Sequence, residues 1–379
     1  MNGRATTGRD AGLYVHVPFC ASRCSYCAFV TTTEVSLLDR TVRATVAEIG
    51  RYATAARLPL ATVYLGGGTP SLLPVADVEA LLRGVREGFT LLPGAEVTLE
   101  ANPDDVKPGT IEAWRGSGIT RVSLGVQSFA DPVLSRLNRR HGAEDARAAA
   151  RAILGGGLEL SVDLMLGLPG RSEADLDATL AETTRLRPHH VSVYLLEMDK
   201  PHELSRLAAR RPELFPDDDG AARQYLRAGS VLVGAGYRHY EVSNFALPGH
   251  VARHNLRYWT GRPVFAAGVA AHGQAGRRRW ANVDTLSAYL EASDRGGSVR
   301  SWSRRLDESE ALRESVMLGL RRARGVSVAR ARACAVAAPE FGERLDDFTR
   351  LGLARVRDGR VGLSPRGWLL SNELLASLW

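Results

Sequence analysis

The sequence predicts an α/β fold, a partial (β/α)6 barrel of TIM type with a small winged-helix-like domain at its C-terminal end. Strand-like runs alternate with helix-like runs through the first half of the chain, which argues for a parallel sheet. Residues with chemistry fall just after the strand-like runs, where a barrel keeps its active site. The last stretch changes style, to helices around an Asp-Gly hairpin signal. A length of 379 residues accommodates a barrel-sized domain and a small second one, with ample core.

The elements follow in order. Tyr14 to Val17 alternates β-branched and aromatic residues and reads as a strand that Pro18 ends. Apolar residues at Val35, Leu38, Val42, Val46 and Ile49 recur at helical spacing over Glu34 to Tyr52. The same alternation continues with strands at Thr62 to Leu65, Glu96 to Glu100, Arg121 to Gly125, Glu159 to Met165 and Val191 to Leu196. Helices lie between them, at Asp77 to Phe89, Pro108 to Arg115, from Asp131, and at Ser172 to Leu186. That makes six units. A doubly wound open sheet is the alternative, but cysteines occupy the place after the first strand where its glycine fingerprint belongs. Beyond Asp199 the pattern loosens: a polar Arg-rich stretch at Glu203 to Leu214, a helix at Gln224 to Ala235, and a strand and loop at Tyr237 to Phe245. Helices at Asp307 to Arg322, Ser327 to Ala337 and Phe341 to Leu351 precede a hairpin about Asp358-Gly359 and a closing helix at Pro365 to Leu378. The expected division is a barrel core over 1–200, an extension over 201–299 and a C-terminal domain over 300–379, with its boundary near Gly296 to Trp302.

Net charge is +7, nearly all of it arginine, since Lys107 and Lys200 are the only lysines. The balance favours an anionic ligand, either a carboxylate-bearing small molecule or nucleic acid. Apolar runs such as Val191 to Leu196 stop far short of a membrane span. Met1 to Gly12 is polar and lacks the apolar segment of a secretory signal, so a cytoplasmic protein that is not integral to a membrane is expected.

Three of the four cysteines, Cys20, Cys24 and Cys27, sit together in a loop past the first strand at C-x3-C-x2-C spacing. Such a loop bends its sulfurs toward one metal centre, and thiolates suit zinc or an iron-sulfur cluster. Three thiolates leave one iron of a cubane without a protein ligand, an open position where chemistry takes place. A disulfide framework does not suit so long a chain with so few cysteines. Zinc requires a fourth ligand, and the local candidate His16 points away along a strand. Gly66-Gly-Gly-Thr-Pro70 follows the second strand, on the same end of the sheet as the cysteines. It lacks the Lys of a phosphate loop, and its glycines let backbone approach a ligand closely.

The cysteine spacing, the aromatic Tyr26 before the third cysteine and the Gly-Gly-Thr-Pro loop together resemble the radical S-adenosylmethionine (SAM) proteins. That resemblance implies a [4Fe-4S] cluster on Cys20, Cys24 and Cys27, with the unique iron chelated by the amino and carboxylate groups of S-adenosylmethionine. Further motifs resemble the oxygen-independent coproporphyrinogen III oxidase family: Tyr14 to Cys20, Leu99 to Pro103, Gly125 to Phe129, Leu137 to His141, Val162 to Gly170 and Tyr240 to Phe245. Carried over by position, the resemblance gives Gly67, Gly68 and Thr69 the methionyl end of the cofactor. Glu100 and Arg139 then meet its ammonium and carboxylate, Gln127 and Asp163 its ribose, and Tyr14 lies beside it.

Two departures turn the resemblance toward the HemW branch, described as haem chaperones. Phe29 stands where the oxidases carry a further cysteine, and only thirteen residues precede Tyr14. That branch's signature is Arg253-His254-Asn-Leu-Arg-Tyr258-Trp259, in which His254 offers an imidazole to haem iron, Tyr258 a second ligand and Trp259 a flat face. His272 and Arg277 to Arg279 offer partners for haem propionates but read best as a solvated basic loop, and Cys334 reads as a buried small residue. The arginines of the C-terminal domain fall on several helix faces, so nucleic acid is not expected as a partner. The expected function is to bind haem and pass it to acceptor proteins such as respiratory enzymes, as a monomer or homodimer. The alternative is radical-mediated oxidative decarboxylation of coproporphyrinogen III.

Overall fold

The structure, a computed structural model, describes residues 10–55 and 58–379. Strands β1 (Ala11–Val17), β2 (Leu60–Gly67), β3 (Leu91–Ala101), β4 (Arg121–Gln127), β5 (Glu159–Leu166) and β6 (His190–Leu195) lie side by side in that order, all parallel. Between them run helices α1 (Leu38–Ala55), α2 (Val75–Gly88), α3 (Thr110–Gly116), α4 (Asp131–Arg136), α5 (Ala143–Gly155) and α6 (Glu173–Leu186). The six expected strand-helix units are present. Successive strand residues alternate faces. Leu13, Val15, Val63, Leu65 and Leu99 pack outward with Ile49, Val78, Leu81 and Val85 of α1 and α2 in one core. Truncating one of these enclosed leucines to alanine costs about 2–5 kcal/mol. The alternate residues share the opposite, polar face: Gly12 pairs with Thr62, Tyr14 with Tyr64, Glu100 with Ser123, and Asp163 with Ser192.

The sheet does not close. After α7 (Glu203–Arg210) and α8 (Asp218–Gly234), β7 (Arg238–Glu241) and β8 (Asn244–Ala246) form an antiparallel pair that joins the sheet through β8, antiparallel to β6. The chain then crosses by α9 (Arg253–Trp259) to the other edge. There β9 (Val264–Ala267) pairs parallel with β1, followed by the antiparallel strands β10 (His272–Ala275), β11 (Arg278–Asn282) and, after α10 (Leu286–Asp294), β12 (Arg300–Arg305). The result is an open sheet of twelve strands, a partial barrel. Strands β9 to β12 have no counterpart in the sequence reading, because they are short and β12, Arg-Ser-Trp-Ser-Arg-Arg, is exposed throughout. Since β12 pairs with β11, the expected boundary near Gly296 to Trp302 runs through a strand of the large sheet.

The remainder has its own core of Val316, Phe341, Trp368 and Leu374. It comprises α11 (Glu308–Leu320), β13 (Val326–Ser327), α12 (Val328–Ala337), α13 (Pro339–Arg350), β14 (Ala354–Arg357), β15 (Arg360–Leu363), α14 (Pro365–Leu369) and α15 (Ser371–Ala376). The β14–β15 turn places Asp358 and Gly359 at φ 49° and 68°, the left-handed conformation that a two-residue hairpin requires. Cys334 is fully buried there. This unit touches the sheet through β7, where Val242 donates to the Arg321 carbonyl and Ala323 to the Tyr240 carbonyl. No helix among the described residues is long and apolar enough to cross a membrane.

Candidate functional site

The C-terminal ends of β1 to β6 surround a cavity of about 380 Å³. Its wall includes Cys20, Cys24, Cys27, Gly67, Gly68, Thr69, Glu100, Gln127, Arg139 and Asp163. Thus these residues, from six separate stretches of sequence, meet at one end of one sheet. Tyr14 is not on the wall; it stacks on Tyr64, which does line the cavity, at 6.1 Å. Tyr258 and His254 lie off it as well.

The cysteine loop is anchored at both ends. Cys20 N–H donates to the Thr32 carbonyl and Thr32 N–H to the Pro18 carbonyl, while Ser25 bonds the chain after α4 through Leu137 and Arg136. The loop after β2 docks directly under it, with Gly68 N–H on the Val17 carbonyl and Thr69 N–H on the Phe19 carbonyl. A Cβ at Gly68 would lie 2.7 Å from the Phe19 carbonyl oxygen, so only glycine permits this approach. His16 holds the base of the loop: one ring nitrogen bonds Tyr14 Oη at 3.0 Å and the other the Val30 carbonyl at 2.9 Å. Both nitrogens are therefore engaged.

The three thiols are free. Burial pushes the Cys20 and Cys27 thiols up from their ordinary range. Among the described residues no three Cys, His, Asp or Glu side chains converge on a point as a single ion requires. Three thiolates suit a polynuclear cluster, in which each takes its own iron. Thr69 Oγ1 lies 3.5 Å from Cys20 Sγ, and Arg139 Nη1 donates to Cys24 Sγ at 3.3 Å. Donors aimed at the sulfurs stabilise thiolate.

Glu100 accepts from Tyr64 Oη at 2.7 Å and from the Gly67 N–H at 2.9 Å. Burial raises its carboxyl to about 7 against those two bonds, so a cation placed beside it would gain strongly. Arg139 reaches across to Asn102 Oδ1 at 2.5 Å and the Gly125 carbonyl at 2.7 Å, yet its buried Nε has no partner. Asp163, pushed up by burial, accepts from Ser123 Oγ at 3.0 Å. Gln127 sits at φ 65°, a conformation that costs a residue with a side chain energy and is commonest at functional sites. His141 Nε2 meets the Val126 carbonyl at 3.3 Å just before it. The residues fit a [4Fe-4S] cluster with S-adenosylmethionine: free thiols on one wall, an acceptor for an ammonium, an unfilled buried donor, and glycine backbone between them. Sequence reasoning missed Tyr64, Asn102 and Ser123, which orient or line this wall; Tyr64 carried a signal, since it precedes the glycine loop on an inward position.

The Arg253 to Trp259 segment lies at the other end of the strands. As α9 it closes the barrel floor: the Arg253 and His254 N–H groups donate to Glu96, and Arg257 pairs with Asp10 where both are 3% exposed. His254 is 1% exposed, bonds Thr62 Oγ1 through Nδ1 at 2.9 Å, and stacks on Tyr64 at 5.2 Å. Burial lowers its pKa to about 3, so the ring is neutral, and its Nε2 has no partner. Trp259 instead faces outward into a second cavity. Arg277 and Arg279 are paired with Glu308 and Glu314, and His272 is exposed beside Trp302.

Comparison with known proteins agrees with this geometry. Residues 14–182 match the radical SAM superfamily and residues 306–370 the HemN C-terminal domain. Relatives include the heme chaperone HemW of Mycobacterium tuberculosis, 38% identical over 98% of this chain and 95% of that one. The heme chaperone HemW of Escherichia coli is 36% identical over 69% of each. The mouse mitochondrial radical S-adenosyl methionine domain-containing protein 1 is 36% identical over 84% of this chain and 74% of its own. Among solved structures, the E. coli coproporphyrinogen III oxidase HemN, a radical SAM enzyme, superposes with a TM-score of 0.85 at 23% identity, covering 99% of this chain and 91% of that one. At that identity the likeness is one of fold.

Proposed function

This chain belongs to the HemW heme-chaperone family of the radical SAM superfamily, and on that premise we propose that it binds haem and hands it to acceptor proteins such as respiratory enzymes. The observation that carries the reading is 38% identity, over 98% of this chain, to a protein named a heme chaperone, joined to Phe29 standing 65% exposed where the oxidases it resembles carry a further cysteine. The proposal includes a [4Fe-4S] cluster on Cys20, Cys24 and Cys27. It gives S-adenosylmethionine to Gly67, Gly68, Thr69, Glu100, Gln127, Arg139 and Asp163, with Tyr14 one layer behind, and haem to His254, Tyr258 and Trp259. Action in the cytoplasm, as a monomer or homodimer and without nucleic acid, is part of the same reading.

When bound, the cluster and S-adenosylmethionine supply one-electron chemistry. The chain's own residues do the rest. Glu100 offers a carboxylate to an ammonium, Arg139 holds Cys24 sulfur and keeps a buried Nε without a partner, and the Gly67–Gly68 backbone lets a ligand approach without a side chain in the way. His254 presents a neutral imidazole with a free Nε2, the form that ligates iron, but within the closed barrel floor. Ligation there requires α9 to lift from Glu96 and Asp10.

Anaerobic reconstitution of the cluster followed by two separate additions tests the reading. Haem added alone is expected to bind stoichiometrically, with a shift in its visible spectrum, and to pass to an apo-acceptor. Turnover of coproporphyrinogen III with S-adenosylmethionine, followed by product chromatography, would overturn it in favour of the oxidase.

A further inference from the structure

The second cavity, about 390 Å³, opens between the end of α9, the β10–β11 turn and the C-terminal unit. We propose that it is the docking site for the propionate edge of a porphyrin, with Arg322, Arg330 and Arg360 as carboxylate donors and Trp259 as the face beside the ring. The proposal rests on the haem reading above and names where, in the closed form of the protein, that cargo sits.

The charge is unbalanced. Glu314, the one carboxylate on the wall among the described residues, is bound to Arg279 through both Nε and Nη2. None of Arg322, Arg330 and Arg360 pairs with a carboxylate among the described residues. Arg330 Nε holds Ser315 Oγ at 2.7 Å, and Arg360 holds the Arg324 and Gly325 carbonyls at 2.9 and 2.7 Å. Each guanidinium has five N–H donors in a planar fork that matches a carboxylate, so donors remain for a ligand. Burial lowers the Arg322 pKa, and the like charges of Arg324, Arg360 and Arg262 lower it further. A carboxylate entering here relieves that repulsion. Ser327 and Arg330 belong to the start of α12, whose dipole adds positive potential.

Among the described residues the wall contains no histidine, cysteine, methionine or tyrosine, and its carboxylate, Glu314, is tied to Arg279. Iron therefore finds no side-chain ligand in it, and recognition passes through the ring face and the carboxylates alone. That arrangement suits cargo that must be surrendered, since an acceptor offering an axial ligand takes the iron without displacing one. It also divides the Arg253 to Trp259 motif: His254 turns into the barrel, whereas Trp259 turns to this cleft.

The test titrates the full-length protein with haem, metal-free protoporphyrin IX and its dimethyl ester, following porphyrin absorbance. Haem and the metal-free ring are expected to bind within a few-fold of each other, and the ester at least tenfold more weakly. Arg322→Gln and Arg330→Gln should each weaken metal-free binding by roughly tenfold, the loss typical of one charge-assisted hydrogen bond. Arg330→Lys should retain part of it. Circular dichroism checks each variant's fold, and Arg330, exposed on α12, keeps the test open if Arg322→Gln fails to fold. Wild-type binding of the metal-free ring by an Arg322→Gln/Arg330→Gln double variant would overturn this site while leaving the chaperone reading standing. Uptake of neither ring by the wild-type protein would overturn both.

Discussion

Replacing Arg257 by methionine should release the barrel floor. The Arg257 guanidinium is 3% exposed, pairs with the equally buried Asp10 carboxylate, and donates to Thr62 Oγ1 at 3.1 Å and the Asp10 carbonyl at 3.3 Å. Gly12 makes room for it, since a Cβ there would lie 2.7 Å from Arg257 Cδ. Methionine fills much of the same space but leaves Asp10 a buried, uncompensated charge. Removing one partner of such a pair costs about 3–5 kcal/mol. If the loss falls on α9, its opening constant rises by about two to three and a half powers of ten, at 1.4 kcal/mol per tenfold. Native-state amide exchange at Leu256 and Thr260, which donate to the Ala252 and Leu256 carbonyls, reads that opening directly. Asp10→Asn/Arg257→Met should recover most of the protection, because no charge is left buried. Wild-type exchange rates in Arg257→Met would refute the reasoning, showing that the ion pair does not hold the floor.

Gly68→Ala should prevent cluster assembly while leaving far-ultraviolet circular dichroism unchanged, because the added Cβ pushes Phe19 and the cysteine loop apart; iron analysis after reconstitution should fall from about four per chain toward zero. Glu100→Gln should flatten the pH dependence of stability. A carboxyl raised in the folded state to about 7 from 4.5 contributes stability below pH 4.5 that is lost as pH rises to 7, by up to about 3 kcal/mol. Urea midpoints between pH 4.5 and 7.5 measure the slope. Glu241, also raised to about 7 by burial, titrates in the same window, so the variant should remove part of the slope and Glu100→Gln/Glu241→Gln more. An unchanged slope in the single variant would show that Glu100 stays charged.

The sequence by itself determined the alternation that builds β1 to β6 and the residues at their ends. Period-two apolar strands between period-3.6 helices admit few arrangements, and parallel strands necessarily bring Cys20, Thr69, Glu100, Gln127 and Asp163 to one end. The hairpin at Asp358-Gly359 was equally legible, since its turn depends on two adjacent residues. Strands β9 to β12 were not, because runs of four to six residues such as Val-Phe-Ala-Ala and His-Gly-Gln-Ala carry too little periodic signal; β9 becomes a strand where β1 offers a free edge, and β10 to β12 add onto it. The same limit applies to the Arg253 to Trp259 motif. Its letters named aromatic and imidazole chemistry, but a short helix shows different faces to different neighbours, and only its packing decided which. Thr62, Glu96 and Asp10, distant in sequence, draw His254 and Arg257 into the barrel floor and leave Trp259 to the arginine-lined cleft. Local pattern specifies which residues form an element; the direction each face takes is fixed by partners that the chain brings together only on folding.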